Sequence, residues 1–395
     1  MKKKGVIICV APDAWDSLKR GRHHILSDLS NDNDIYYVEA QRNYDKSFII
    51  NALEGLFNFI FCPIVKKDNV FIVKTPFLLP WLSIKFIPFL SFQKIAHINN
   101  YLIAKCLNRL IKKRNIKKYI FWFYLPQNVQ ILDYLDNAPQ MVCYYVHDEV
   151  YLYPQNFFIK DLLLQDDLKA QAKANIIFSS SPSQYENRPN KKSHLMLNGV
   201  DYEHFSKALT DLPKPPDIIN VEHPIIGFIG FLGFQIDFKL LLKAAEAIKN
   251  ANFLFIGPVK AKSNQELNSL KKKKNVFFLG QKGYDILPAY LKYIDIAILP
   301  YDLNTHMKTS FPLKYYEYLA AGKPIVSVYL KDLEPYSEGV FLAKNQNEFI
   351  EYLNKAIRDG STLEEMKRRN VLAKQNSWDE RCKKIREILC AESAE

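Results

Sequence analysis

The sequence predicts an α/β protein built from two successive doubly wound halves. Short apolar runs alternate with stretches of helical periodicity along the chain, the pattern of parallel strands joined by covering helices. The alternation breaks once, at the proline-rich Leu212-Pro213-Lys214-Pro215-Pro216, and then restarts. The length, 395 residues, also exceeds what one core usually serves, because domains run about 100–200 residues.

In the first half, strands are predicted at Val6–Val10, Ile35–Val38, Val70–Lys74, Tyr119–Phe123, Met141–Val146, Ile176–Ser179 and Ser193–Leu197. Helices are predicted at about Ser17–Leu29, Gln127–Leu135 and Asp161–Ala174. Ile95, Ile98, Leu102, Cys106, Leu107 and Leu110 recur at helical spacing and predict a long helix over Phe92–Lys113. Residues 206–223 read as an extended linker. The second series has strands at Ile225–Ile229, Phe253–Ile256, Val276–Leu279, Ile294–Leu299 and Ile325–Val328. Its helices are expected at about Phe238–Lys249, Ser263–Lys273, Leu287–Tyr293 and Pro312–Ala321, with three more near the C-terminus. Ser377 and Glu380 form an S-x-x-E capping box before the last of these. The expected domains are therefore 1–205 and 224–376, with 377–392 as a final helix.

Bulk properties narrow the function classes. The net charge is +12 and the pI about 9.1, which suits nucleic acid, an anionic membrane or a phosphate-bearing ligand. The densest basic run, Lys271–Lys274, closes a predicted helix, where the helix dipole favours cations. No recognisable basic motif points to nucleic acid. The six cysteines form no C-x-x-C pair and no zinc-ligand spacing, so a reducing, cytoplasmic setting and no metal are expected. Lys2–Lys4 leads at once into a strand-like run, so no signal peptide is expected. Prolines interrupt the most apolar stretch, Pro76–Phe92, and forbid a spanning helix there.

The strongest local motif is Ser310-Phe311-Pro312-Leu313-Lys314-Tyr315-Tyr316-Glu317, continuing to Gly322-Lys323-Pro324. Pro312 suits a helix start, and Gly322 with Pro324 suits a helix stop. The amino end of such a helix presents unpaired N–H groups suited to a diphosphate, and Glu317 could accept hydrogen bonds from ribose hydroxyls. An ordinary capped helix with an exposed glutamate fits the residues as well. Gly227-Phe228-Ile229-Gly230-Phe231-Leu232-Gly233 follows a strand but lacks the G-x-G-x-x-G spacing, so a tight strand–loop–helix turn, with Asp237 as helix cap, is favoured over a dinucleotide site. His147-Asp148 ends a strand, where acid–base work or a structural role are both open. Arg20-Gly21-Arg22-His23-His24 enters the first helix after the loop Ala11–Asp16, which carries Trp15; it could bind an anion and equally reads as a solvated first turn.

Taken together, these segments resemble a retaining glycosyltransferase of the GT-B fold, most similar to family 4. The resemblance is carried by Ser179–Glu186 (SSSPSQYE), Asn198–Asp201 (NGVD), Gly227–Gly230 (GFIG), Phe277–Tyr301, Pro312–Ser327 (PLKYYEYLAAGKPIVS) and Asn376–Arg381 (NSWDER), in the family's order. It implies two facing Rossmann-like domains with a cleft between them, the first for the acceptor and the second for a nucleotide-sugar, and a last helix that crosses back onto the first. It implies that Glu317 contacts the ribose, that Pro312, Leu313 and Lys314 face the diphosphate, and that Gly280 and Tyr284 cradle the base. Gly230, Phe231, Asp237, Thr309 and Ser310 complete the expected donor site. His147 and Asp148 would stand near the reacting sugar, and Gly21, Arg22 and Trp15 near phosphates or acceptor.

Two positions depart from the family pattern. The first carboxylate of the family's E-x7-E pair falls at Thr309, and Phe231 and Leu232 stand where a basic pair is usual. Lys314, Lys308, Arg22 and Lys239 are the replacement cations considered, in that order.

The expected reaction is sugar transfer from a UDP- or GDP-linked donor to an acceptor hydroxyl, with retention and without cofactor or metal. The expected acceptor is a lipid-linked saccharide of cell-surface polysaccharide synthesis. Leu53–Val65 and Phe77–Phe92, with Trp81 and Lys66, Lys67 and Lys85, fit contact with an anionic membrane, the inner face of the plasma membrane, and equally a buried connection packed against the first lobe. A nucleotide-sugar epimerase of the same fold and a non-catalytic nucleotide-sugar scaffold are the competing readings.

Overall fold

The computed structural model describes residues 5–17, 20–39, 48–76, 78–79, 91–153, 158–261, 265–304 and 306–393, with 48–53 as backbone only. Trp81 and Lys85 lie outside these residues. The chain divides into two compact units, Met1–Met196 with Cys382–Glu395, and Leu197–Arg381.

The first unit holds an eight-stranded sheet. Its strands are β1 (Gly5–Ala11), β2 (Asn33–Glu39), β3 (Ile64–Lys67), β4 (Val70–Val73), β5 (Ile120–Phe123), β6 (Met141–Val146), β7 (Ile176–Ser179) and β8 (Ser193–Leu195), in the order β3-β4-β2-β1-β5-β6-β7-β8. All pairings are parallel except that of β3 with β4. The central strands are buried nearly end to end, as expected of parallel strands covered on both faces. The helices are α1 (Gly21–Leu29), α2 (Phe48–Phe61), α3 (Phe92–Lys113), α4 (Lys160–Lys173) and α5 (Pro182–Glu186). Ser91 caps α3 by accepting from Lys94 N at 3.4 Å.

The second unit carries α6 (Tyr202–Phe205) and a six-stranded parallel sheet: β9 (Ile225–Ile229), β10 (Asn252–Ile256), β11 (Val276–Phe278), β12 (Ile296–Leu299), β13 (Ile325–Val328) and β14 (Val340–Ala343). The order β11-β10-β9-β12-β13-β14 is a doubly wound sheet that reverses direction between β9 and β12. Its later helices are α7 (Phe238–Ala247), α8 (Gln265–Leu270), α9 (Leu287–Tyr293), α10 (Leu313–Ala320), α11 (Gln346–Asp359) and α12 (Leu363–Gln375). α13 (Trp378–Glu392) then runs from the second unit into the first. There, Arg386 pairs with Asp28 at 2.8 Å, and Cys382 Sγ lies 4.0 Å from His24 O.

Several elements differ from the sequence reading. The stretch read as a linker is packed into the second core: Ile218 and Val221 are buried, and short 3-10 turns span Ser206–Leu209 and Pro216–Ile218. Prolines there set turns that aim apolar side chains inward, rather than an extended spacer. α1 begins at Gly21, because Arg20 is extended and forms its cap. Pro126–Tyr134 winds as a 3-10 helix instead of an α-helix, with Pro126 in its first turn. α2, β3 and β14 were not anticipated. Ser377 does cap α13, accepting from Glu380 N at 3.3 Å.

Candidate functional site

Ligands of doubly wound sheets bind beyond the carboxyl ends of the strands, where the strand order reverses. In the second unit that point lies just past β9 and β12. β9 ends at Ile229, whose N–H donates to Tyr318 Oη at 2.9 Å, so α10 is pinned against it. The next residue, Gly230, bonds Ile256 O through its own N–H at 2.8 Å. Gly257 follows β10 at φ +140°, and a Cβ there would sit 1.9 Å from Gly230 O. Its N–H in turn donates to Gly280 O at 2.8 Å. Three successive strand ends therefore finish in glycines laid one against the next, forming a ledge of bare backbone. Gly257→Ala is expected to cost at least about 2 kcal/mol in urea denaturation, from strained backbone and the clash together, and to remove any nucleotide-induced stabilisation.

α10 begins beside this ledge. Pro312 is its extended N-cap and offers no side-chain cap, so the first helical N–H groups have no such partner. Asn198 Nδ2 holds the preceding turn by donating to Phe311 O at 3.2 Å. At the other end, Gly322 at φ +71° closes the helix: its N–H reaches Leu319 O and that of Lys323 reaches Tyr318 O, both at 2.9 Å. Lys314 Cε would lie 3.6 Å from a Cβ on Gly230, so its stem passes over the ledge. Lys314 Nζ donates to Glu317 Oε2 at 2.6 Å. Glu317 is only 5% exposed; burial raises its carboxyl, and the Lys314 charge opposes that rise.

The remaining expected donor residues divide by role. Tyr284 stacks on His204 at 4.1 Å and donates to Asp201 Oδ2 at 3.2 Å, a pairing that fixes its ring. Ser310 and Thr309 hydroxyls both donate to His306 O, at 3.0 and 3.3 Å. Asp237 accepts from Leu240 N at 2.8 Å and so caps α7. Phe231 is 41% exposed beyond the ledge. Lys239 and Lys308 are exposed, which leaves Lys314 as the considered cation that this unit sets beside the glycines. Gly257 and His204 were not singled out from the sequence, and Asp201 was noted only within the Asn198–Asp201 turn. The Ile256-Gly257-Pro258 punctuation after a strand was the signal for the first.

The first unit reverses its strand order between β1 and β5. Beyond them, Arg22 is 5% exposed, donates toward Asp13 Oδ1 at 3.1 Å and lies 5.3 Å over the Tyr124 ring. Gly21 opens α1 just before it. Tyr37 Oη also donates to Asp13, through the backbone O at 3.0 Å. Trp15 packs against His23 and Tyr37, each at 5.0 Å. Among the described residues, Arg22 Nε, His23 Nε2, Trp122 Nε1 and Tyr124 Oη are buried without a partner, a donor-rich group of the kind a ligand completes.

His147 stands at the end of β6, its carbonyl held by Ser180 Oγ at 2.8 Å and Gln184 Nε2 at 3.2 Å. The Asp148 carboxylate accepts from Tyr153 Oη at 2.8 Å. Glu149, next along, is gripped by both terminal nitrogens of Arg188, at 2.9 and 2.8 Å. Burial pushes the His147 imidazole down to about 4. It is therefore neutral at ordinary pH, a hydrogen-bond partner rather than an acid. Between about 6.5 and 4 the unfolded chain takes up a proton that the folded chain refuses, so stability falls as pH drops through that window, by up to about 3 kcal/mol. His147→Asn is expected to flatten this part of the stability profile, which urea melts across pH would read.

Residues 214–376 match the family described as glycosyl transferases group 1. The chain is 32% identical over 194 residues to a putative teichuronic acid biosynthesis glycosyltransferase, TuaH, of Bacillus subtilis; the match covers 48% of each chain, so it spans about half of that relative's length. Among solved structures, sucrose-phosphate synthase from Thermosynechococcus elongatus superposes with a TM-score of 0.70 at 12% identity, over 99% of this chain and 100% of the other. Anabaena HepE in complex with UDP gives 0.63 at 13%, over 98% and 100%. The E. coli trehalose-6-phosphate structure bound with UDP-2-fluoro glucose gives 0.66 at 12%, over 97% and 99%. The fold class is thus that of the GT-B glycosyltransferases, two Rossmann-like α/β domains.

Proposed function

We propose that the chain is a glycosyltransferase that moves a sugar from a UDP- or GDP-linked donor to an acceptor hydroxyl with retention, as family 4 enzymes do. The observation that carries this reading is the Lys314–Glu317 pair at the amino end of α10, beside the Gly230–Gly257–Gly280 ledge. Bare backbone and unpaired N–H groups accommodate a diphosphate closely. Lys314, released from Glu317, would add the cation that stabilises the departing diphosphate, and Glu317 would then accept the ribose hydroxyls. With that charge met by helix and lysine, no metal is required, and EDTA is not expected to slow turnover. In the first unit, neutral His147 and the Arg22 cluster would orient the transferred sugar and the acceptor.

The group 1 match over the second unit supports the donor half of this assignment, as do the UDP ligands of the structural neighbours. The likeness to a putative teichuronic acid biosynthesis glycosyltransferase supports a polysaccharide-building role; the acceptor in this reading is a lipid-linked saccharide at the cytoplasmic side of the membrane. A non-catalytic nucleotide-sugar scaffold is favoured by one observation, Thr309 in place of a carboxylate. Thermal-shift screening with UDP, GDP, ADP and CMP and their sugar conjugates tests the site. A ligand at a hundredfold its Kd stabilises by about 2.7 kcal/mol. Stabilisation by one nucleoside diphosphate, with its release from the sugar conjugate when a lipid-linked acceptor is added, is expected. Stabilisation without turnover would favour the scaffold, and no shift with any nucleotide would remove the reading.

A further inference from the structure

α2 leaves an apolar face uncovered. Asn58 and Cys62 point inward: Asn58 Nδ2 donates to Thr75 O at 3.0 Å, and Cys62 Sγ meets Cys106 O at 3.5 Å. Leu56, Phe57, Ile60 and Phe61, at i, i+1, i+4 and i+5, share the opposite side of the helix and are 57, 54, 54 and 58% exposed. Val65, on the adjoining edge strand β3, is exposed as well, followed by exposed Lys66 and Lys67. Single exposed apolar residues are ordinary, but a contiguous set marks an interaction surface.

The neighbouring helix supplies one sign of charge. Residues 92–118 contain Lys94, Lys105, Arg109, Lys112, Lys113, Arg114, Lys117 and Lys118 and no acidic residue. Lys105, Arg109, Lys112 and Lys113 recur at i, i+4, i+7 and i+8, and this stripe borders α2. The Arg109 guanidinium donates to Phe59 O and lies 4.5 Å over the Phe59 ring. The Cys62 thiol, lowered first by its Cys106 hydrogen bond, is lowered further by the Arg109 and Lys113 charges, which places both beside the end of α2.

We propose that this face docks on an anionic lipid bilayer, with α2 lying in the interfacial plane. Leu56, Phe57, Ile60 and Phe61 would enter the acyl boundary, while the α3 stripe and Lys66 meet headgroup phosphates. A second copy of this chain is a poor occupant, because symmetric pairing would bring the two basic stripes together. No described helix is long and apolar enough to cross a membrane. The docking face stands independently of the sugar-transfer reading.

Flotation of the full chain with phosphatidylglycerol–phosphatidylcholine vesicles at about 3:7, against pure phosphatidylcholine, tests it. Co-flotation with the anionic vesicles alone is expected, with release at about 0.5 M salt. Phe57→Ser/Phe61→Ser and Lys112→Glu/Lys113→Glu should each reduce partitioning at least about tenfold. All four side chains are exposed, so melting temperature and any nucleotide-induced shift should not change. Absence of co-flotation, equal binding to neutral vesicles, or wild-type flotation of the Phe57/Phe61 variant would overturn the assignment. So would a dimer that the Phe57/Phe61 variant dissolves while vesicle binding persists.

Discussion

Glu317→Gln is expected to weaken nucleotide binding about a hundredfold or more while leaving the unliganded chain no less stable than the wild type. Burial raises the Glu317 carboxyl, so between the ordinary carboxylate range and its folded value the native state holds a proton that the unfolded state has lost. Stability therefore falls as pH rises through that window, and at neutral pH the buried carboxylate is a net cost. Glutamine removes the cost, and Lys314, with its side chain 22% exposed, remains solvated. In the proposed donor site, what would disappear is a charged acceptor for the ribose hydroxyls. Hydrogen bonds to charged groups contribute about 1.5–3 kcal/mol each, so affinity should drop about a hundredfold or more. Melting curves with and without nucleotide from pH 5 to 8 read both effects. A retained nucleotide shift would refute the ribose role, and a clearly lower unliganded melting temperature would refute the electrostatic account.

The second large effect is expected at Arg188, which is 1% exposed. Its guanidinium holds Glu149 bidentately and reaches Asp167 Oδ1 at 2.9 Å, while Tyr144 Oη donates to the same Asp167 oxygen at 2.6 Å. Arg188→Gln would leave two buried carboxylates with no cation between them, at about 3–5 kcal/mol. That is a large fraction of a domain's net stability. Arg188→Gln/Glu149→Gln/Asp167→Asn should recover at least half of the loss, because it removes the stranded charges and keeps hydrogen-bonding groups in place. Urea denaturation of both variants measures this. Equal stability of the single and triple variants would mean that packing, not charge, governs the site. The triad also sets the turn carrying His147, two residues before Glu149. If His147 orients the transferred sugar as proposed, the triple variant should turn over donor more slowly even where it folds and binds nucleotide normally.

What was legible in the sequence was what local pattern controls. The α3 periodicity, the buried parallel strands and the Pro312–Gly322 punctuation of α10 are set by neighbours within a few residues, and each appears as read. Contacts between distant segments left no such trace. Arg188 sits in Asn187-Arg188-Pro189-Asn190, which reads as a surface turn, and its partners are 39 and 21 residues away. Gly257 looked like ordinary strand-end punctuation, because the backbone it must clear belongs to another loop. α2 was unreadable for a different reason: its large apolar residues Leu56, Phe57, Ile60 and Phe61 lie on the exposed side, so hydrophobicity does not mark the face it buries. The proline-rich stretch at 212–216 misled because composition reports stiffness and not where the segment packs.

The path of α13 has a consequence for the order of synthesis. Cys382 meets His24 across a sequence separation of 358 residues. On the ribosome, the eight strands of the first sheet emerge long before the helix segment that covers Asp28 and His24. The whole second unit is made in between and can fold as soon as it appears. The earlier half must therefore wait, incompletely covered, for the later half to be finished. A lesion that delays folding of residues 197–381 would prolong that exposed state, so aggregation of the nascent chain could begin in a half that carries no mutation.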